Sequence, residues 1–214
     1  MKSSKLRLNT IFSSSFILGG SPCSGKSTIA ERLSQAFELT YYKVDDHIKR
    51  HLEKANPQEQ PTMAAYSHMS WNDIWSRPMG LQVAEEFNYY TEQFPMILED
   101  LLEFKSINTL IMEGAAFLPS LLHDWGIKPH QVLFMVPTKA FQLKHYSERP
   151  WIDQILKECA NPQQAFENWM ERDHHFGKEI IRQAQSLYYT YFIVDGSLTE
   201  DALYTKVKNH FRFV

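Results

Sequence analysis

Five short apolar runs punctuate the chain, at residues 16–19, 41–44, 109–112, 132–136 and 191–194, each of strand length and rich in β-branched or aromatic residues. Four are almost continuously apolar, the pattern of strands covered on both faces; the second, which contains Lys43, is the least so. Helical periodicity fills the spaces between them. Residues 26–37 set Ile29, Ala30, Leu33, Ala36 and Phe37 on one stripe, and 81–105 is a long amphipathic segment that Pro95 is expected to kink or divide. A third pattern over 165–187 carries Phe166, Trp169, Met170, Phe176, Ile180 and Ile181. The last, 199–211, spaces Leu203, Val207 and Phe211 by four, with Thr199 as N-cap and Glu200 and Asp201 in its first turn.

Strands alternating with helices predict a parallel sheet with right-handed crossovers, the α/β class. More than sixty residues separate the second and third runs, too many for one crossover. Within that stretch, 56–80 is polar and holds Pro57, Pro61 and Pro78, yet also Met63, Tyr66, Trp71 and Trp75. It is expected to form a helical insertion covering a cleft. A second excursion, 139–189, separates the last two runs. Residues 1–214 thus read as one domain with two lobes. Lys2, Lys5 and Arg7 precede a mildly apolar stretch at 11–18, but Ser13, Ser14 and Ser15 interrupt it and no A-x-A-like cleavage site follows. The expectation is a short, frayed N-terminal tail.

Composition narrows the classes. The 214 residues include 22 basic and 25 acidic side chains, a formal charge of −3, which gives no basic footprint for nucleic acid. With 43% hydrophobic and 14% aromatic residues the chain is neither disordered nor fibrous. No apolar run approaches the ~18–20 residues of a membrane span. Two cysteines, Cys23 and Cys159, cannot make a disulfide framework and point to a reducing, cytoplasmic setting. The chain has only eight glycines, and five of them, Gly19, Gly20, Gly25, Gly114 and Gly196, cluster at the carboxyl ends of three predicted strands.

The first of those clusters carries the chemistry. Gly20-Ser21-Pro22-Cys23-Ser24-Gly25-Lys26-Ser27 fits G-x-x-x-x-G-K-S/T, with a predicted strand before it and a helix, beginning Lys26-Ser27-Thr28, after it. Glycines allow successive N–H groups to turn inward on phosphate oxygens, and the helix start adds its partial positive charge. In such a loop Lys26 reaches the β- and γ-phosphates and the Ser27 hydroxyl ligates the Mg²⁺ bridging them. A chance match is the alternative, and the chain's own residue frequencies give roughly 0.002 expected occurrences, before the strand–helix context is required. ATP and Mg²⁺ are therefore the expected cofactors.

Other candidates sit at the same edge, where open parallel sheets bind ligands. Asp45 and Asp46 follow the second run; one could activate an acceptor hydroxyl while the other merely caps a helix, and Asp45 is the preferred base. Glu113, ending the third run, could bind Mg²⁺ or its water shell, or contact the acceptor, unless it is simply exposed. Asp195 and Gly196 form a turn expected to line the nucleotide base pocket. In the second excursion Arg149 and Arg172 are candidates for the transferring phosphoryl group, or else belong to a solvated helix face. The histidines show no H-E-x-x-H pattern, and Cys23 could be a reactive thiol at a helix start.

Taken together, these residues resemble the family of small-molecule P-loop kinases, which includes nucleoside monophosphate, shikimate and gluconate kinases, chloramphenicol phosphotransferase and the 2-phosphoglycerate kinase-like proteins. Val44-Asp45-Asp46-His47-Ile48 is similar to the segment that holds the acidic residue near the acceptor hydroxyl. Ile111-Met112-Glu113-Gly114 with Pro119 is similar to a stretch of 2-phosphoglycerate kinase-like members, and 192–197 to the family's last strand and adenine-contacting turn. The resemblance implies a three-layer α/β/α fold with a five-stranded parallel sheet in the order 2-3-1-4-5, an acceptor lobe within 56–80 and a lid around 149–172. It implies acceptor contacts from Asp45, Asp46, Glu113 and Arg172, and catalysis by Lys26, Asp45 and Arg149. Two departures count. The lid lacks the paired-arginine spacing of nucleoside monophosphate kinases, and there is no N-K-x-D or D-x-x-G motif of a GTPase.

The expected function is transfer of the γ-phosphate of ATP to a small hydroxyl- or phosphate-bearing molecule, by a monomer or homodimer that binds neither nucleic acid nor membrane. The alternatives are a regulatory P-loop ATPase with no small-molecule acceptor and a nucleic-acid-directed ATPase or end-kinase, which the −3 charge disfavours.

Overall fold

The structure is a computed structural model that describes residues 2–104 and 109–213. In chain order its elements are α1 (Lys2–Ser13), β1 (Ser15–Gly20), α2 (Lys26–Phe37), β2 (Thr40–Lys43), α3 (Ile48–Lys54), α4 (Pro61–Tyr66), α5 (Trp71–Trp75), α6 (Met79–Glu103), β3 (Leu110–Glu113), α7 (Pro119–Asp124), β4 (Val132–Pro137), α8 (Lys139–Ser147), α9 (Pro150–Leu156), α10 (Pro162–Ser186), β5 (Thr190–Val194) and α11 (Glu200–His210). A 3₁₀ turn, Val44–His47, links β2 to α3.

The five strands form one parallel sheet in the order β2-β3-β1-β4-β5. Successive side chains leave opposite faces of a strand, so Ile17 packs with α6 and α10 while its neighbour Leu18 packs with α2. The three central strands are buried almost throughout, and that burial produces their unbroken apolar runs. One face is covered by α1, α6, α7 and α10 and the other by α2 and α11, giving three layers.

The N-terminus is not a frayed tail. Residues 2–13 form α1, whose Leu8, Ile11 and Phe12 lie in the core against α6; the amide of Gln131 donates to the carbonyl of Phe12 at 2.6 Å. Spacing of three and four between those apolar residues is the helical signature that the serines masked. Nor does Pro95 divide its segment, since α6 runs unbroken from Met79 to Glu103. Lys105, the expected end of that helix, lies outside the described residues.

The two excursions meet. Ile74 and Trp75 of α5 share a third hydrophobic core with Tyr146 of α8, Ile152 and Leu156 of α9, and Trp169 and Met170 of α10. Trp75 and Trp169 stack with centroids 4.2 Å apart and planes at 12°. The Asn168 amide donates to the Trp75 carbonyl at 2.7 Å, and the Ala160 N–H to Asn72 Oδ1 at 2.9 Å. The 56–80 insertion and the 139–189 region therefore pack as one body over the carboxyl edge of the sheet.

Candidate functional site

The loop after β1 leaves the backbone amides at the start of α2 without side-chain partners. Gly20 has φ 116°, and a Cβ there would lie 2.1 Å from the Met135 carbonyl, so only glycine lets the chain leave the sheet at this point. Gly25, at φ 80°, is the N-cap of α2 and offers no side chain to the first amides of the helix, which stay free for a ligand. Cys23 shares the left-handed conformation at φ 63°. The Ser21 hydroxyl donates to the Asp173 carbonyl of α10 at 3.1 Å and the Ser24 hydroxyl to the Ser21 carbonyl at 3.0 Å, fixing the loop from below.

Lys26 is only 6% exposed, and its ammonium donates to the Ser21 carbonyl at 2.7 Å and to Ser24 Oγ at 3.3 Å. Burial pushes its pKa down, while Glu113 and Asp45 oppose that shift. The Ser27 hydroxyl donates to Glu113 Oε2 at 3.2 Å, and the Tyr41 hydroxyl reaches the same oxygen at 3.4 Å. Glu113, 3% exposed, is far from the exposed loop residue the sequence allowed for. Burial raises its pKa, and Lys26 then Ser27 counter the rise. Cys23 is not an activated thiol: burial raises its pKa more than Arg149 lowers it.

Two clefts meet over this loop. The larger, about 730 Å³, lies between the start of α2, Phe141 and His145 of α8, and the turn after β5 that contains Asp195 and Gly196. Asp195 holds that turn by accepting from the Ser197 N–H at 2.9 Å and the Ser197 hydroxyl at 2.6 Å. The smaller, about 350 Å³, passes Pro22, Lys26 and Ser27 to reach Asp45, Tyr90, Glu113, Tyr146 and Trp151. Cys23, Ser24, Gly25, Thr28 and Arg149 line both.

Of the paired aspartates, only Asp45 faces the smaller cleft. It caps no helix; the N-cap of α3 is His47, with no side-chain cap bond. Asp46 is turned away, exposed and 4.0 Å from Lys43. The two arginines part likewise. Arg149 projects over the loop, with Nη2 3.7 Å from Cys23 Sγ and its guanidinium 4.8 Å from the Tyr146 ring centroid. Arg172 does not line the cleft. It is buried behind the wall between Asp173 (Nε to Oδ1, 2.9 Å) and Glu86 (Nε to Oε2, 3.3 Å), over the Trp75 ring at 4.7 Å.

Tyr90, Tyr146 and the buried Glu86 behind them escaped the sequence reading. Glu86 and Tyr90 are four apart on α6, the one available signal, and the Tyr90 hydroxyl donates to Glu86 Oε1 at 3.4 Å. The Tyr146 hydroxyl donates to Asp173 Oδ2 at 3.1 Å. Burial raises the Glu86 pKa to about 7 against the pull of Arg172. Among the described residues no group of three or more His, Cys, Asp or Glu is arranged to hold a metal ion, and no helix is long and apolar enough to cross a membrane.

Strand order β2-β3-β1-β4-β5, flanking helices and a glycine-bounded loop opening onto α2 define a three-layer α/β/α fold with a phosphate-loop-like turn after β1. No family model and no curated protein matches the chain. Among solved structures it is similar to shikimate kinase from Acinetobacter baumannii in complex with shikimate, at 15% identity over 90% of this chain and 89% of that one, TM-score 0.43. Shikimate kinase from Aquifex aeolicus is 15% identical over 92% and 96%, TM-score 0.39. An uncharacterized protein from Eubacterium ventriosum is 12% identical over 94% and 99%, TM-score 0.43.

Proposed function

We propose that the protein is an ATP- and Mg²⁺-dependent kinase of a small hydroxyl-bearing molecule. The observation that carries this reading is the pair of clefts joined over Cys23, Ser24, Gly25 and Thr28, one suited to a nucleotide and the other running past Lys26 to a carboxylate, Asp45. A nucleotide with its base between Phe141 and the Gly196 turn would lay its phosphates on the loop amides and Lys26. The buried pair of Ser27 and Glu113 presents hard oxygens that fit Mg²⁺, whose other ligands would be phosphates and water. Bound there, the ion would offset charge on the β- and γ-phosphates.

The remaining chemistry falls to side chains. Asp45 accepts the proton of the acceptor hydroxyl, whose oxygen forms the new bond to phosphorus as the bond to the β–γ bridging oxygen breaks and ADP leaves. Arg149, on the seam of the clefts, faces the charge spread over the transferring group. Tyr146 and Trp151 line the same space and give it aromatic walls. The test is coupled ADP release from MgATP across a panel of hydroxylated metabolites. Acceptor-dependent release supports the kinase; nucleotide binding with slow hydrolysis and no response to any acceptor supports a regulatory ATPase instead.

A further inference from the structure

On the acceptor wall the two phenols and Asp45 are presented as hydrogen-bond acceptors, and the one guanidinium lining the cleft, Arg149, lies at its seam with the nucleotide cleft. The Tyr90 and Tyr146 hydroxyl protons point away from the cleft, into Glu86 at 3.4 Å and Asp173 at 3.1 Å, so what each phenol offers the cleft is a lone pair. Asp45 and Glu113 add carboxylate oxygens to the same wall.

Cations that could have met an anionic acceptor are committed. Arg172 lies between Asp173 and Glu86 behind the wall. Arg77 is paired with Glu85 and donates to the Tyr66 hydroxyl at 2.9 Å. Arg50 bonds Asp100 and lies 3.4 Å from Glu103. Lys26 is sunk in the phosphate loop, and Arg149 sits where the clefts join, which on the phosphotransfer reading commits it to the transferring phosphoryl group. A carboxylate or phosphate on the acceptor would enter a space holding Asp45 and Glu113 with no bidentate partner of its own.

From this donor and acceptor pattern we infer that the second substrate is a polyhydroxylated molecule rich in hydrogen-bond donors, uncharged or bearing an ammonium group, and without a carboxylate or phosphate. The inference rests on the phosphotransfer reading and narrows its substrate class. The Tyr90 ring gives such a molecule an apolar face to lie against and an ammonium a cation–π contact, while the Tyr146 and Trp151 rings lie under Arg149 at 4.8 and 5.9 Å.

The experiment uses the full chain and matched acceptors: a cyclitol, an aminocyclitol and a hexitol, beside a hexonate and a hexitol phosphate. Binding is read by saturation-transfer NMR with a non-hydrolysable ATP analogue and Mg²⁺, and turnover by ADP release. The donor-rich members are expected to bind, and to be used with at least about tenfold higher kcat/KM than the anionic ones, the worth of one mismatched polar contact. Tyr90→Phe keeps the ring and removes the phenol oxygen; it should raise KM for the acceptor several-fold and leave KM for ATP unchanged. Equal or better use of the hexonate or hexitol phosphate, binding by none of the donor-rich members, or an unchanged acceptor KM in Tyr90→Phe overturns the inference. Donor-rich members that bind beside the nucleotide without releasing ADP overturn phosphotransfer and leave the class of ligand standing. Brisk ADP release with anionic members alone does the reverse.

Discussion

The two clefts over the phosphate loop are made from different materials. On the nucleotide side the ligand would meet backbone: amides at the start of α2, a left-handed glycine at its N-cap, a turn closed by Asp195. On the acceptor side it would meet side-chain tips from α6, α8 and α9, of which Tyr90 and Tyr146 are held by Glu86 and Asp173 behind them. Backbone geometry is set by a few adjacent residues and tolerates change around it. A wall of side chains depends on the packing beneath, here the core that joins Trp75 to Trp169. On the proposed function, recognition of phosphate would thus be local, and recognition of the acceptor a property of the assembled lobe.

The contrast can be broken at several points. Lys26→Ala strikes the nucleotide side hardest, and turnover should fall by about a thousandfold, since a buried, pre-aimed cation is lost from the phosphates. Steady-state ADP release measures it, with thermal denaturation confirming that the fold survives.

Next come the two arginines, which should separate activity from stability. Arg172→Ala leaves Glu86 and Asp173 buried without their cation and should cost about 3–5 kcal/mol of stability, read by chemical denaturation. Arg149→Ala, which breaks no ion pair, should leave the denaturation midpoint within about 0.5 kcal/mol and lower kcat instead. Equal loss of stability in both would erase the distinction between cleft and wall.

The paired aspartates sharpen the acceptor side. Asp45→Asn should reduce phosphotransfer by about a hundredfold while ATP still binds; Asp46→Asn, at an exposed site facing Lys43, should stay within about twofold. Full activity in Asp45→Asn removes the base from the mechanism.

A last effect is in the pH dependence of stability. Glu86 is raised in the fold from 4.5 to about 7, so the fold favours its protonated form. That contribution is complete below pH 4.5 and is lost as the pH rises through 7, by about 3 kcal/mol. Glu86→Gln should flatten this slope, and denaturation between pH 5 and about 8 would detect it.

Legibility follows the same division. β1, the phosphate loop and α2 are contiguous in sequence, so strand pattern, glycine positions and Lys26 could be read together, and the sheet order followed from the resemblance they supported. Asp45 and Glu113 were visible because Glu113 ends β3 and Asp45 follows the end of β2 by two residues. The acceptor wall was not, because its parts come from residues 86–90, 146–151 and 172–173, and only folding brings them together. Arg149 and Arg172 look alike in sequence; what separates them is Glu86, a residue with no motif around it. The α1 helix was missed for a local reason, as three serines broke an apolar stretch whose Leu8, Ile11 and Phe12 nonetheless kept helical spacing.

Acceptor-dependent phosphate transfer is most directly tested by following γ-³²P-labelled ATP with the full chain, Mg²⁺ and a panel of uncharged and amino-substituted polyols. The account predicts a labelled phosphomonoester whose formation requires Lys26 and falls about a hundredfold in Asp45→Asn. Label released only as inorganic phosphate, at a rate indifferent to every acceptor and to Asp45→Asn, would contradict it.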